Sequence, residues 1–298
     1  MKVLTDASGS LTGAYLVNAI KETGALVVAS DIDSTCYAKY LADEFIQMPL
    51  SNDVKLWNKI EKLLEEYQIN IVIPSLDETL IDWALRKSYF AKKNTHVLIS
   101  NEEVIKTFQD KWQTYQFFKK NGIPSPLTSL KQDYPLIKPR YGRGSVGVFV
   151  TTDEVSMEGN ISQELIEGTE YTVDVFCNKE SYPVYIVPRQ RLNVKDGKST
   201  AGVVIKHDRI TEYVKKICEA TNFIGPINIQ CFETKEGEIQ FIEINPRIAG
   251  GMALGFAATE NWIKLLIEHF IYHKEIYPVE VKYGLKMKRY YSEVFSFE

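Results

Sequence analysis

The sequence predicts an α/β and α+β protein: an N-terminal parallel α/β lobe, then a two-lobed region of mixed strands and helices. Three observations predict it. Strand-like and helix-like runs alternate through the first hundred residues. Short strand runs then gather around the glycine-rich stretch Gly142-Arg143-Gly144-Ser145-Val146-Gly147. Near the end, two strand runs joined at Thr234–Gly237 carry Asn228, Gln230, Glu243, Asn245 and Arg247. Alternation implies a parallel sheet covered by helices, and successive strand runs imply antiparallel pairing. The expected division is 1–100 for the α/β domain and 101–298 for the rest, with a small lid lobe at about 125–165 and a C-terminal lobe at about 166–298.

In chain order, Lys2–Ala7, Ala25–Asp31 and Asn70–Pro74 are short apolar or β-branched runs, with a fourth at Val97–Ser100. Leu11–Thr23, Val54–Tyr67 and Leu80–Ala91 carry helical periodicity between and after them. The helical pattern continues over Asn101–Lys120 and stops at Asn121-Gly122; Ile123–Pro126 is a stiff connector. Strands are expected at Tyr134–Pro139, Val146–Thr151 and Ser162–Ile166, then at Glu170–Asn178, Pro183–Val187 and Thr200–Ile205. Arg209–Thr221 is a helix and Met252–Tyr272 a long apolar helix, and the tail from Val281 is extended.

A chain of 298 residues with 45% hydrophobic content can build a substantial core. Its net charge of −4 gives no general nucleic-acid footprint, so no nucleic-acid partner is expected. No apolar run approaches a membrane span, and the strand-like Met1–Thr5 does not resemble a signal peptide, so no membrane partner is expected either. Cys36, Cys177, Cys218 and Cys231 are scattered without a CxxC pair, as expected of reduced, structural thiols in a cytoplasmic protein. The apolar N-terminal lobe makes a homodimer plausible.

The chemistry-bearing residues fall in three segments. Glu243 and Asn245 are two apart and project from one strand face, where Gln230 can meet them across the ladder. A carboxylate and carboxamides with Arg247 close by suit Mg²⁺ and the phosphates it carries. Leu136-Ile137-Lys138-Pro139-Arg140 leads into the loop of Gly142, Arg143, Gly144 and Ser145. A strand-borne Lys138 and exposed backbone amides there can wrap a polyphosphate, although an ordinary hairpin also uses glycine. No GK[ST] follows, so this is not a Walker loop; strand–loop–strand instead suits a lid that excludes water. The third segment, Gln163-Glu164-Leu165-Ile166 followed by Glu170, can offer backbone groups to an adenine edge and a carboxylate to ribose hydroxyls.

In this order, Lys111, Lys138 with its glycine loop, Gln163–Ile166 with Glu170, then Asn228, Gln230 and Glu243-Ile244-Asn245-Pro246-Arg247, the chain resembles the ATP-grasp superfamily. Its resemblance is to the carbamoyl-phosphate-synthase-like branch and related carboxylate–amine ligases, and it covers nearly the whole chain. The resemblance implies that residues 1–100 form the domain preceding the grasp. It implies that Lys111 and Lys138 contact ATP phosphates, Gln163–Ile166 the adenine, and Glu170 the ribose. Glu243 would bridge two Mg²⁺ (or Mn²⁺) ions completed by Gln230 and Asn245, with Asn228 behind them. Arg247 would steady the transferring phosphoryl group and the acyl phosphate. The family commonly opens the hinge with Glu, and here that place falls on Gln163, whose carbonyl can still accept the adenine bond. One grasp unit is visible, so carbamoyl phosphate synthesis is not implied.

The implied activity is an ATP- and Mg²⁺-dependent ligase acting on a small-molecule carboxylate and an amine or similar nucleophile. Rival readings are a non-catalytic ATP-binding or regulatory module of the same fold, a bicarbonate-phosphorylating enzyme, and an NAD-dependent oxidoreductase using the N-terminal lobe. Arg189 and Arg191, at strand spacing and followed by the basic stretch Lys195–Thr200, are the candidate clamp for the acid; a solvated basic edge is the plain alternative. Gly9–Gly13 with Asp31 mimics a dinucleotide fingerprint without its full pattern. His269 and His273, one turn apart, are expected on a surface helix face. Asp77 and Glu78 are expected either to cap a helix or to face a cleft and bind an amine.

Overall fold

The computed structural model describes residues 1–195 and 198–297. The first sheet is parallel: β1 (Lys2–Thr5), β2 (Leu26–Asp31), β3 (Glu44–Gln47), β4 (Ile71–Ile73) and β5 (His96–Val97), in spatial order β3-β2-β1-β4-β5. Its helices are α1 (Gly13–Lys21), the single turn α2 (Ala38–Leu41), α3 (Leu56–Glu66) and α4 (Leu80–Ala91). Both faces are covered, as parallel sheets require. Along β1 the pleat sends Val3 to the α1 side with Leu16 and Ile20, and Leu4 to the opposite side with Ile60, Leu64 and Trp83. The structure adds α2 and β3 to the expected elements. β3 is a four-residue edge strand with Ile46 alone fully buried, too short to stand out as an apolar run.

The expected helix over Asn101–Lys120 is two helices, α5 (Glu102–Gln109) and α6 (Lys111–Lys120). Asp110 between them is extended and caps α6, its carboxylate accepting the Trp112 N–H at 2.9 Å. A small antiparallel sheet follows: β6 (Thr128–Ser129), β7 (Leu136–Pro139), β8 (Phe149–Val150) and β9 (Asn160–Gln163), in order β6-β9-β7-β8. The glycine loop joins β7 to β8.

The third sheet is antiparallel: β10 (Gly168–Cys177), β11 (Pro183–Lys195), β12 (Lys198–Val204), β13 (Gly225–Thr234), β14 (Ile239–Asn245) and β15 (Lys286–Lys288), in order β14-β13-β10-β11-β12-β15. One face is apolar throughout. Val173, Val175, Ile229 and Phe241 pack there against Phe108 of α5, Phe118 of α6 and Ile217 of α7 (Asp208–Glu219). The other face is apolar only at one end, where Phe176 and Tyr185 join Trp262 and the α1 side chains Leu16 and Val17 in one core. The rest of that face is polar, and it carries the site.

The expected helix over Met252–Tyr272 is broken into α8 (Ala253–Ala258), α9 (Trp262–Leu265) and one wider π turn over Leu266–Ile271. Asn261 restarts the chain, its side chain accepting the Ile263 and Lys264 N–H groups, while the buried Trp262 ring donates to Thr259 Oγ1 at 2.8 Å. His269 is a second correction: it is buried, not on a surface face. Its Nε2 accepts the Lys179 N–H at 3.2 Å and its Nδ1 lies 2.8 Å from the Lys274 carbonyl. Both nitrogens are committed to backbone, which makes it a packing residue. No helix among the described residues is long and apolar enough to cross a membrane. The four cysteines are free and buried.

Candidate active site

The β13–β14 hairpin sets the centre of the site. Gln230 lies directly opposite Glu243, and Asn228 opposite Asn245. Strict alternation along β14 would send Glu243 into the core, because Ile239 and Phe241 both point there. A bulge prevents this. The register shifts between Gln230 and Cys231, leaving Ile242 as an extra residue on β14, and Ile242 and Glu243 then face the same cleft. Glu243 Oε1 accepts the Asn245 amide at 2.6 Å.

That cleft, about 330 Å³, lies between the small sheet and the polar face of the large one. Lys138 projects from β7, its ammonium 2.7 Å from Gln163 Oε1 on β9. The Gln163 amide donates in turn to Thr128 Oγ1 at 2.9 Å. Burial pulls the Lys138 pKa down to about 8, against the raising pull of Glu243 and Glu170. Lys111 opens α6 and donates to the Gly142 carbonyl at 3.0 Å, and its own N–H bonds the Arg140 carbonyl at 3.0 Å. Both ends of this contact are fixed by the buried Asp110, which pairs with Arg140 and accepts the Tyr141 hydroxyl at 3.1 Å. The segment Glu164–Ile166, the loop residues Gly142, Arg143, Gly144 and Ser145, and Glu170 line the same cleft.

A second cavity of about 670 Å³ lies toward the N-terminal lobe. It meets the first at Gln230, Glu243, Arg191, Arg143 and Gly144. Arg247 reaches across to the N-terminal lobe, where Asp77 takes both its Nε and Nη2 at 2.6 Å. Burial would lower the Arg247 pKa, but the Asp77 carboxylate outweighs it and the value rises. Asp77 thus faces the site as partner of an arginine. Arg143, at the tip of the glycine loop, reaches the same segment, 3.1 Å from Glu78 and 3.9 Å from Asp77. Ser10, Leu11 and Thr12, from the loop that mimics a dinucleotide fingerprint, line the larger cavity.

Two expectations need correction in geometry. Arg189 and Arg191 do share a face, but they do not form an open clamp. Arg189 is buried in a two-point contact with Asp174 (2.7 and 3.2 Å), which also accepts the Asn228 amide at 2.7 Å. A Cβ on Gly251 would stand 2.5 Å from the Arg189 guanidinium, so a larger residue there would require the guanidinium to shift against Asp174. Arg191 pairs with Glu170 at the cleft. The Gln163 carbonyl is likewise engaged by Lys138, and the Glu164 carboxylate folds back on the Leu127 N–H at 2.8 Å, so neither side chain stands free as an open hydrogen-bonding edge to the cleft. The side chains of 193–199, on which the expected basic stretch falls, lie outside the described residues.

Sequence reasoning missed Asp110, Thr128, Asp174 and Arg289. Asp110 stood in a helical run and Asp174 in an alternating strand, each a single acid with no motif of its own. Arg289 follows β15 in the extended tail and lines the larger cavity from the far end of the chain. For a metal ion the donors at hand are one carboxylate, Glu243, and the carboxamides of Gln230 and Asn245. No group of three His, Cys, Asp or Glu that could hold a metal occurs among the described residues. Such a set fits an ion that keeps oxygen ligands from phosphate and water, as Mg²⁺ does.

Two family models match the chain: "PylC-like, N-terminal domain" over residues 7–98, and "ATP-grasp in the biosynthetic pathway with Ter operon" over residues 156–292. A 3-methyl-D-ornithine–L-lysine ligase of Methanosarcina barkeri is 26% identical over 189 residues, covering 62% of this chain and 50% of that protein. A carbamoyl phosphate synthase large chain of Archaeoglobus fulgidus is 24% identical over 196 residues, covering 56% of this chain and 18% of that protein. This chain therefore spans half or less of these two relatives. Among solved structures, the biotin carboxylase domain of Hydrogenobacter thermophilus 2-oxoglutarate carboxylase, in complex with MgADP, ADP and bicarbonate, superposes with a TM-score of 0.74. It is 17% identical and covers 96% of this chain and 73% of that one. That likeness is one of fold.

Proposed function

The chain belongs to the ATP-grasp superfamily, and we propose that it is an ATP- and Mg²⁺-dependent ligase that activates a carboxylate as an acyl phosphate for attack by an amine. One observation carries this reading: the smaller cleft and the larger cavity open onto each other at Glu243, Gln230 and Arg191. A binding module needs one pocket. Two pockets sharing a wall of charge-handling side chains suit transfer of a group from one ligand to another.

ATP occupies the smaller cleft, its adenine against the backbone of Glu164–Ile166 and its phosphates beneath the glycine loop, near Lys138 and Lys111. The Arg191–Glu170 pair lies beside the sugar and phosphates. Glu243, Gln230 and Asn245 would hold Mg²⁺, two ions in this proposal, and the metal would supply charge neutralisation around the transferring phosphoryl group. The acid lies in the larger cavity with its carboxylate near Arg191 and Glu243. A carboxylate oxygen attacks the γ-phosphorus, the bond to the β–γ bridging oxygen breaks, and ADP leaves. The amine then adds to the acyl carbon, and phosphate departs with the proton balance made up by solvent. Arg247, fixed by Asp77, holds Asn245 Oδ1 at 3.2 Å and so positions the ion-binding face. The glycine loop closes over the reaction and keeps water from the acyl phosphate.

The relatives allow other acids, including the bicarbonate bound in the biotin carboxylase structure. A cavity of about 670 Å³ is of the size that accommodates organic ligands, ~300–1,000 Å³, and favours an organic acid. The presence of three separate sheets supports the three-lobed division with its lid, and the cavity size supports small-molecule substrates. The deciding experiment is ADP release from Mg·ATP across a panel of carboxylates, amino acids, bicarbonate and amines. Release that requires one acid and one amine establishes the ligase; release with bicarbonate alone replaces it by carboxyphosphate chemistry. Glu243→Gln abolishes release while leaving the fold intact and nucleotide binding partly intact. Full turnover by that variant would sink the ion-binding assignment.

A further inference from the structure

We propose that the acid substrate carries a second anionic group, a carboxylate or a phosphate, held in the corner of the larger cavity between Arg289, the Gly250-Gly251 turn and the loop entering α1. This deepens the ligase reading and rests on it for the word substrate; the binding corner itself does not.

Five arginines line the larger cavity, and four have a carboxylate. Arg189 has Asp174, Arg191 has Glu170, Arg247 has Asp77 and Arg143 has Glu78. Arg289 has none among the described residues. Its Nη2 donates to the Gly250 carbonyl, its backbone N–H donates to the Thr200 carbonyl, and its Nε is buried without a hydrogen-bond partner among the described residues. A half-buried guanidinium with an orphaned N–H and no counter-charge is costly, and an anionic ligand would offset that cost. Burial holds its pKa below the ordinary guanidinium value, with the nearby Arg189 adding to the effect.

The corner is separate from the reacting end. Gly250 packs against Leu11, with only 3.2 Å between the position of a Cβ there and that of Leu11. Besides Arg189, the ionisable groups that bear on Arg289 are the Tyr15 and Tyr37 hydroxyls. Tyr15 is in the first turn of α1, and the Tyr37 hydroxyl lies 3.3 Å from the Ala14 N–H of the same turn. Glu243 and Arg191 line both cavities, whereas Arg289, Ser10 and Thr12 line the larger one alone. The first turn of α1 carries no acid, and its electropositive end adds to the field. Ser10 and Thr12 bring hydroxyls, bonded to each other at 2.7 Å, to the cavity wall. Asp31, the acid beneath this loop, is turned to the Gly9 N–H at 2.8 Å. A carboxylate lying against Glu243 and Arg191 therefore leaves Arg289 to a second group on the same molecule.

The test uses the full chain saturated with Mg·ADP and measures binding of matched probes: succinate against butyrate, and phosphoglycolate against glycolate. The doubly anionic member of at least one pair binds about tenfold more tightly or better. Which pair shows the larger difference separates a carboxylate from a phosphate. In Arg289→Gln, which keeps a donor for Gly250, the preference falls to about twofold or less while ADP affinity is unchanged. Arg289→Lys, with charge but no fork, recovers part of it. Equal binding within both pairs overturns the proposal, as does a preference that survives Arg289→Gln. Loss of ADP release with the probe preference intact would remove the ligase reading and leave the anion corner standing. Release supported equally by singly anionic acids would do the reverse.

Discussion

Strands β10 and β11 carry two carboxylate–arginine pairs of the same chemistry, Asp174–Arg189 and Glu170–Arg191, and they do different work. In the first, the side chains are 0% and 4% exposed, Asn228 adds a third contact, and the Gly251 turn closes over them. In the second, the side chains are 23% and 11% exposed and open onto the cleft, with Arg191 on the wall shared by both cavities. Strand periodicity puts all four residues on one face. What lies beside that face separates them: the Gly251 turn closes against one pair, whereas the other lines the cleft together with Arg143, Gly144 and Val146 of the glycine loop. A dry, fully satisfied pair specifies packing, whereas an ion pair at a cleft wall can exchange its partner for a ligand.

The largest effect that would break this comparison is structural. Asp174→Ala leaves Arg189 buried and unpaired, and stability falls by about 3–5 kcal/mol in urea unfolding. A loss under ~1 kcal/mol would mean that Arg189 finds water or another partner, and that the pair is no scaffold. Next in size is the functional arm. Arg191→Ala changes stability by about 1 kcal/mol or less but raises the KM for the acid about tenfold to a hundredfold. Arg189→Ala should instead show its effect first in unfolding. An unchanged KM in Arg191→Ala, with the protein folded, would move Arg191 out of the site.

The same distinction explains how much of the molecule was legible in its sequence. Alternating strands and helices gave the parallel sheet because each β-branched run is flanked by a periodic helix, and the short edge strand Glu44–Gln47 escaped because one buried isoleucine is no pattern. Periodicity could not break 252–272, an apolar run whose interruption depends on Asn261 restarting the helix and Trp262 wedging beneath it. In the site, the two-residue spacing put Glu243 and Asn245 on one face, yet the bulge at Ile242 that turns this face outward appears in no residue type. Lys138 and Gln163 were singled out separately, and the bond between them is a tertiary fact that redirects Gln163 from a nucleotide base to a lysine. Arg289 carries no motif at all. It comes to the cavity because β15 pairs with β12 some eighty residues earlier in the chain.

The smallest predicted effect is also the most selective, because it asks which carboxylate the nucleotide cleft feels. Lys138 holds its proton against burial with help from Glu243 and, less strongly, Glu170; Asp174 is not among its partners. Its pKa in the nucleotide-free protein is lowered to about 8, so the ammonium is charged below that pH and increasingly neutral above it. An anionic nucleotide prefers the charged form, so Mg·ADP affinity should be flat below pH 8 and then weaken with rising pH, by at most about tenfold per pH unit. Glu170→Gln removes one of the charges that hold the proton, and the break should move to lower pH. Asp174→Asn, if folded, should leave it where it was. Lys138→Arg, cationic throughout this range, should abolish the break. A break that persists in Lys138→Arg would assign the titration to another group, and one that moves equally in the Glu170 and Asp174 variants would show that the two pairs are not electrostatically distinct.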